Sequence, residues 1–377
     1  SPSSKAVTFD SVAGDLPVPT LTAYSFDGWF TAATNGTQVT KDTVYKTADN
    51  STVYAHWTPV TYNITFNTDG GNSISGITYD IEDTSVSLPT PVKTGYTFSH
   101  WIVEKQEGNW TAGSTVNGTL ASNYGNVGLK AVYTPNNYTL NLDLNAPAGA
   151  VTEPACEKSA IDVTFDAAVG TLPVPTLDGY TFAGWYNTAT GGTQVTASTA
   201  YITADDSTVY ATWTPVTYNI NTDANGGNDV ADGTYTIENG TIPAGGTRTG
   251  YTFSHWEVAA DSGNWVAGET FNAGSSAAGK YSDVTLNAVW TANDYTASFE
   301  LNDAEGIGAA SVNKNQITVT YDSALNVNEA LPVATRNGYT FLGWFTSAEG
   351  GEKVTDATVY TTDGNTTYYA QWELIEY

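Results

Sequence analysis

The phrase GYTFAGW, which begins at Gly179, returns as GYTFSHW at Gly95 and Gly250, as GYTFLGW at Gly338 and, loosened, as AYSFDGW at Ala23. A chain of 377 residues would ordinarily divide into two or three domains, but a recurrence of this kind replaces that division with a row of smaller units. A second marker closes each unit: YAHW ending at Trp57, AVY at Tyr133, ATW at Trp213, AVW at Trp290 and AQW at Trp372. The units are then residues 1–59, 60–135, 136–215, 216–292 and 293–377. The first, third and fifth continue the phrase as GWFTAATNGTQVT, GWYNTATGGTQVT and GWFTSAEGGEKVT, whereas the second and fourth read HWIVEKQEGNWTAGSTVN and HWEVAADSGNWVAGETFN. Two types of unit therefore alternate, A-B-A-B-A.

Inside a unit the apolar period is two, as in half-buried strands. Tyr138, Leu140, Leu142 and Leu144 alternate with Thr139, Asn141 and Asp143, and Ile161, Val163 and Phe165 alternate with Asp162 and Thr164. Pro173 and Pro175 rule out a helix interior or a central strand, so TLPVPT crosses the unit in an extended form. Gly179 turns the chain, and the Gly191-Gly192 pair turns it again. No apolar stripe of helical period is long enough to define a helix, beyond a short turn around 323–330. The fold class expected is all-β or β-rich α+β, as a tandem array.

A unit of about 75 residues has little interior, so a few aromatic rings, each burying roughly 150–250 Å², must supply most of the core. The chain has them: 24 Tyr, 12 Phe and 11 Trp. GYTFxxW accordingly reads as a core phrase. His56, His100 and His255 are far apart in sequence and read as polar residues on strands rather than as ligands. The single cysteine, Cys156, allows no disulfide and no zinc spacing, and reads as an inert packing residue.

Lys and Arg number 12 against 39 Asp and Glu, a formal net charge of −27, which opposes binding to nucleic acid. No apolar run is long enough to cross a bilayer as a helix, so direct membrane insertion is not expected. A chain without Met that begins at Ser1 suggests a processed, exported polypeptide. No nucleophile elbow, no cysteine–histidine pairing and no motif-placed acid pair suggests catalysis, so no enzyme activity, cofactor or metal site is expected. Asp223-Ala-Asn-Gly-Gly-Asn-Asp229 faintly echoes a calcium loop but lacks the bidentate Glu, and a Gly-Gly turn explains it equally well. Asn-x-Ser/Thr sequons at Asn35, Asn50, Asn117, Asn239 and Asn365 are candidate glycosylation positions, while those at Asn63 and Asn137 fall where burial could block them.

The phrase Gly-Tyr-Thr-Phe-x-Gly-Trp-Tyr/Phe, followed by Gly-Gly-Thr-x-Val-Thr and then Val-Tyr-Ala-x-Trp, resembles the internalin-type B-repeat, also called the Listeria–Bacteroides repeat. The match runs over 179–213 and 338–372 and more loosely over 24–57; the second and fourth units keep GYTFSHW but lack the Gly-Gly-Thr segment. The resemblance implies a compact β-grasp-like module strung in tandem on prokaryotic cell-surface proteins, with no catalytic residues to carry over.

Four residues separate the aromatics at each junction, as in Trp57-Thr-Pro-Val-Thr-Tyr62, and Pro59, Pro135 and Pro215 stiffen three of the four, so an elongated, semi-rigid rod is expected. The first unit lacks a counterpart of 138–144 and should expose an open edge around Val7 and Phe9, on which Leu374, Ile375 and Tyr377 of another copy could dock. The function read from the sequence is an extracellular structural protein, the subunit of a surface filament or stalk assembled head to tail into a homopolymer. The competing reading is an adhesin that grips a glycan or host receptor through exposed aromatics, with Trp110 and Trp265 of the GNW phrases as candidates.

Overall fold

The computed structural model describes residues 4–120, 122–303 and 308–376. The chain falls into two compact units, residues 1–142, 158–172 and 195–209 in one, and 143–157, 173–194 and 210–377 in the other. In the first unit, the second repeat forms a five-stranded sheet in the order Ile77–Tyr79, Tyr62–Asn67, Val127–Pro135, Tyr96–Gln106, Thr115–Val116. The opening strand Tyr62–Asn67 runs parallel to the closing strand Val127–Pro135, with Ile64 opposite Val127; every other neighbour is antiparallel. The second unit shows the same order twice. In the fourth repeat it is Gly233–Thr236, Thr217–Asp223, Val284–Ala292, Tyr251–Val258, Thr270–Phe271, and in the fifth Gln316–Thr320, Asp294–Glu300, Thr366–Leu374, Tyr339–Phe345, Lys353–Val354. Strands of the third repeat lie in both units, Asn137–Asp143 pairing with Ala160–Thr164 and Tyr180–Tyr186 pairing with Ser207–Pro215.

Among its described residues the first repeat has three strands, Gln38–Val39, Tyr24–Phe30 and Tyr54–Pro59. No helix occurs among the described residues, which decides between the two expected classes in favour of all-β; in 323–330 Ala324 bridges to Val359 and a turn and bends follow, with Leu325 buried.

Phe and Trp of the phrase are three residues apart, and strict strand alternation would send them to opposite faces. A β-bulge at the intervening position corrects this, between Phe26 and Gly28, Phe98 and His100, Phe182 and Gly184, Phe253 and His255, and Phe341 and Gly343. Both rings then turn inward and meet, with centroids 5.4 Å apart for Phe98–Trp101 and 5.2 Å for Phe253–Trp256 and Phe341–Trp344. In the odd-numbered repeats the bulge needs glycine, because Gly28, Gly184 and Gly343 have φ of 136°, 141° and 126°.

Each of these tryptophans donates its indole N–H to the carbonyl of a proline in the extended crossing segment: Trp29 to Pro17, Trp101 to Pro89, Trp185 to Pro173, Trp256 to Pro243 and Trp344 to Pro332, at 2.7–3.0 Å. The closing aromatics make a second tie. Tyr133, Trp213, Trp290 and Trp372 donate to the carbonyls of Thr68, Leu144, Ala224 and Leu301, just beyond the opening strand of each repeat. Separate cores result around Trp101, Trp256 and Trp344. The first repeat has no opening strand among the described residues, and Trp29 is only half-buried, where Trp101 and Trp344 are covered by Phe66 and Phe299 at 4.8 and 4.7 Å.

Replacing Trp256, fully buried, by Ala should cost the fourth repeat about 3–5 kcal/mol through cavity formation and an orphaned Pro243 carbonyl. Amide exchange should report it as lost protection confined to strands between 217 and 292.

Candidate functional site

No group of three or more His, Cys, Asp or Glu side chains close enough to hold a metal occurs among the described residues. The 223–229 loop uses its polar groups internally: Asp223 accepts from the Asn225 amide at 2.8 Å, and the Asn225 side chain donates to the Ala288 carbonyl at 3.0 Å. The three histidines are likewise occupied, His56 stacked on Phe30 at 3.9 Å and His100 and His255 each 2.9 Å from the preceding serine hydroxyl. A depression of about 840 Å³ is bordered by Glu300, Asn302, Asp303 and Tyr369 of the fifth repeat, with no nucleophile–base pair among its lining residues.

Trp110 and Trp265 correct the expectation of ligand-contacting aromatics. Both rings are buried, 6% and 1% exposed, and their indole N–H groups donate at 2.7 Å to the hydroxyls of Tyr79 and Tyr235. Those hydroxyls donate onward to the carbonyls of Gly125 and Ser282, and burial pushes the Tyr235 phenol up to about 12. No ring face remains for a ligand. The sequon residues Asn35, Asn50, Asn117, Asn239 and Asn365 are all exposed, and so are Asn63 and Asn137, so burial does not block them.

The elaborated geometry lies instead at the junctions inside each unit. The glycine and tyrosine that begin the phrase do not enter the core; they face the next repeat. A Cβ added to Gly95 would lie 2.4 Å from the Phe165 ring, one on Gly179 2.6 Å from Ile237, and one on Gly250 2.3 Å from the Tyr321 ring. Glycine is required there for positive φ, 78°, 78° and 76°, and for close approach. Beside each contact the phrase tyrosine donates to the acid that follows the packed side chain: Tyr96 to Asp166 at 2.7 Å, Tyr180 to Glu238 at 3.2 Å and Tyr251 to Asp322 at 2.9 Å. The first junction, built on Ala23, places Tyr24 3.3 Å from Glu82. A backbone bond completes every joint, from Val60 to Ala23, Asn136 to Gly95, Val216 to Gly179 and Asn293 to Gly250, each at 2.9 Å. The bonds to carboxylate hold the Tyr96 and Tyr251 phenols above their ordinary range, while burial is the larger cause for Tyr24 and for Tyr180, which is pushed up to about 12.

The joints follow two chemistries. Where an odd repeat leads into an even one, a leucine precedes the turn (Leu21, Leu177) and isoleucine–glutamate receives it (Ile81–Glu82, Ile237–Glu238). Where an even repeat leads into an odd one, a cation stacks on the tyrosine, Lys93 4.4 Å from Tyr96 and Arg248 3.9 Å from Tyr251, and an aromatic–aspartate pair receives it, Phe165–Asp166 or Tyr321–Asp322.

Of the residues expected to assemble copies, Val7 and Phe9 are exposed, 37% and 57%. Leu374 and Ile375 are not a free strand. Leu374 pairs with Tyr339 in its own sheet, and the Ile375 amide bonds the Gly338 carbonyl at 2.9 Å, so donating them as a strand would break existing pairing. Tyr377 lies outside the described residues. Sequence reasoning missed the joint role of Gly-Tyr, although the aligned acids Glu82, Asp166, Glu238 and Asp322 carry its signal.

A profile of the Listeria–Bacteroides repeat domain matches residues 1–56, 62–123, 138–212, 218–289 and 295–371, and the chain belongs to that family. Among curated proteins it is 27% identical over 94% of its length to a protein of Evansella cellulosilytica described as a Gly-rich membrane protein, of which the match covers 39%. It is 26% identical over 85% of its length to a second membrane protein of that organism, covering 45% of it. Internalin H of Listeria monocytogenes is 30% identical over 49% of the chain, a match covering 32% of the internalin. The chain thus spans less than half the length of each relative.

Gly250→Val should force the Tyr321 ring away and open that joint. The Tyr321 amide, bonded beside the joint to the carbonyl of Asn293, the first residue of its own repeat, is expected to exchange at least about tenfold faster, an opening free energy lower by about 1.4 kcal/mol. The Asp322 amide, bonded within its repeat to Tyr360, should stay protected. The third joint should also respond to pH. Tyr180 donates while protonated and its pKa in the closed joint exceeds the ordinary 10.0, so its contribution is complete below pH 10 and is lost as pH rises towards about 12. Phenolate absorbance should show a late-titrating group of tyrosines that includes Tyr235 and Tyr360, and one fewer late phenol in Tyr180→Phe.

Proposed function

We propose that the chain is a structural segment of a cell-surface protein, in which the modules 1–59, 60–135, 136–215, 216–292 and 293–377 are held at locked joints and space what the rest of the protein carries. Copies meet through their end repeats, as in a filament or a multi-stranded stalk. The observation that carries this reading is the repeated joint itself, in which a tyrosine–carboxylate bond accompanies tight packing in both compact units. The names of the relatives, two membrane proteins and an internalin, support a surface location. Parallel opening and closing strands at the centre of the sheets of the second, fourth and fifth repeats support a β-grasp assignment. An adhesin reading finds no support at Trp110 and Trp265, which are buried.

The test is to delete residues 60–215, one even and one odd repeat, from the protein displayed on cells. Spacing predicts that an epitope tag ahead of the repeats becomes less accessible to antibody while other properties persist. Unchanged accessibility, combined with loss of attachment to a surface or glycan, would overturn the structural reading in favour of adhesion.

A further inference from the structure

The fifth repeat covers a sheet edge that the third leaves open. In both, the outermost strand pairs on one side only, Gln316–Thr320 with Asp294–Glu300 and Ala160–Thr164 with Asn137–Asp143. Backbone bonds fix the register, from Tyr321 to Asn293 and Phe299 to Asn315 in the fifth repeat, and from Phe165 to Asn136 and Leu142 to Ser159 in the third. Antiparallel pairing alternates bonded and unbonded pairs, so the backbone amides and carbonyls of Thr318 and Asp162, which lie opposite Thr296 and Thr139, point away from the sheet. Such an edge is a template for a further length of chain.

In the fifth repeat the chain itself meets those groups. The Thr318 amide donates to Glu329 Oε1 at 3.4 Å, and Asn328 Nδ2 donates to the Thr318 carbonyl at 3.3 Å and to the Thr320 hydroxyl at 3.0 Å. The second Glu329 oxygen pairs with Lys314, and that bond holds the Glu329 carboxyl below its ordinary range. Asn328 and Glu329 stand on the five residues, 326–330, that join Leu325 to Leu331. The third repeat makes the equivalent step, from Val169 to Leu172, with Gly170 and Thr171 alone, and so has neither the acid nor the amide.

Everything that loop would meet is nevertheless present. Lys158 stands two residues before its strand, as Lys314 does, Asp162 presents the outward amide and carbonyl in place of Thr318, and Thr164 keeps the hydroxyl of Thr320. Among the described residues Lys158 has no ion-pair partner, and the outward amide and carbonyl of Asp162 bond no other group. A depression of about 450 Å³ lies there, bordered by Lys158, Asp162, Val169 and Thr171.

We propose that this groove docks an extended segment of another protein through an asparagine–glutamate pair. The glutamate accepts from Lys158 and from the Asp162 amide, and the asparagine before it donates to the Asp162 carbonyl and the Thr164 hydroxyl, so the guest strand takes the place that 326–330 takes in the fifth repeat. The cation at the groove selects an acid. Asp162 also brings a carboxylate where the fifth repeat has Thr318, so a guest with a second acid beside the glutamate is disfavoured. A second copy of the chain is not the expected guest, because its own Asn328 and Glu329 are already bonded. This role goes beyond spacing and does not depend on it.

The probe is a free peptide with the sequence of residues 326–331, Asn-Val-Asn-Glu-Ala-Leu. Titrated into the isotopically labelled chain, it should shift the amide resonances of Lys158 and Asp162 to saturation. Glutamine in place of the peptide's glutamate, or Lys158→Gln in the protein, should weaken binding at least tenfold, whereas Asp162→Thr, which removes the like charge, should strengthen it. Exchanging residues 170–171 for residues 326–330 installs the acid within the chain and should abolish binding with circular dichroism unchanged. Resonances that stay unmoved at millimolar peptide would overturn the docking site, and binding that survives both Lys158→Gln and the loop exchange would overturn its position. Self-association of the unaltered chain that vanishes in Lys158→Gln would put a second copy in the groove and overturn the choice of partner. A spacing role would survive each of these failures, since repeat deletion tests it separately.

Discussion

A tryptophan packed against the core of a small sheet must place its indole N–H somewhere, and here it goes in every repeat to a proline carbonyl in the segment that crosses the sheet. That bond explains why an extended, proline-bearing stretch, unable to join a central strand, is nonetheless held against the core. Proline lacks the N–H but keeps an acceptor, and the tryptophan needs only an acceptor. The β-bulge before the tryptophan is part of the same device, because without it Phe98 and Trp101 would not face the same interior.

The recurring phrase then serves two surfaces at once. Its second half, Phe and Trp, fills the repeat to which it belongs, and its first half, Gly and Tyr, is the socket for the next. Burial of the core and locking of the joint are set by one seven-residue stretch, so a repeat that folds has also shaped the face its neighbour needs. With twelve cationic side chains against 39 carboxylates, the chain spends few charges on ion pairs, and its acids at the joints are met by phenols. A phenol–carboxylate bond carries one charge rather than two, so the carboxylate itself needs no ion-pair partner.

Much of the architecture was legible in the sequence: period-two alternation around Leu140 and Val163 marked strands, and the closing aromatics marked the ends of sheets. The GYTFxxW phrase read uniformly as core, which is true of Phe182 and Trp185 and not of Tyr180, whose ring packs with Leu177 and Ile237 at a joint. Alternation counts residues, and a one-residue bulge shifts the count invisibly, so sequence period alone could not separate the two halves. The GNW tryptophans were misleading for a related reason. A polar neighbourhood such as Gly-Asn suggests a loop at the surface, whereas Tyr79 and Tyr235 offer hydroxyls inside that satisfy the indole, a partner 31 or 30 residues away in a pattern with no local signature.

The two joint chemistries also bear on how such a gene can change its length. Excising the fourth repeat would bring the leucine-flanked Gly179 against the Tyr321–Asp322 turn, and excising the third would bring the lysine-flanked Gly95 against Ile237–Glu238, leaving a ring or a charge without its counterpart. Excising or duplicating two adjacent repeats restores like junctions. Recombination within this array is therefore tolerated in even steps, and the inherited unit is the dyad rather than the single sheet.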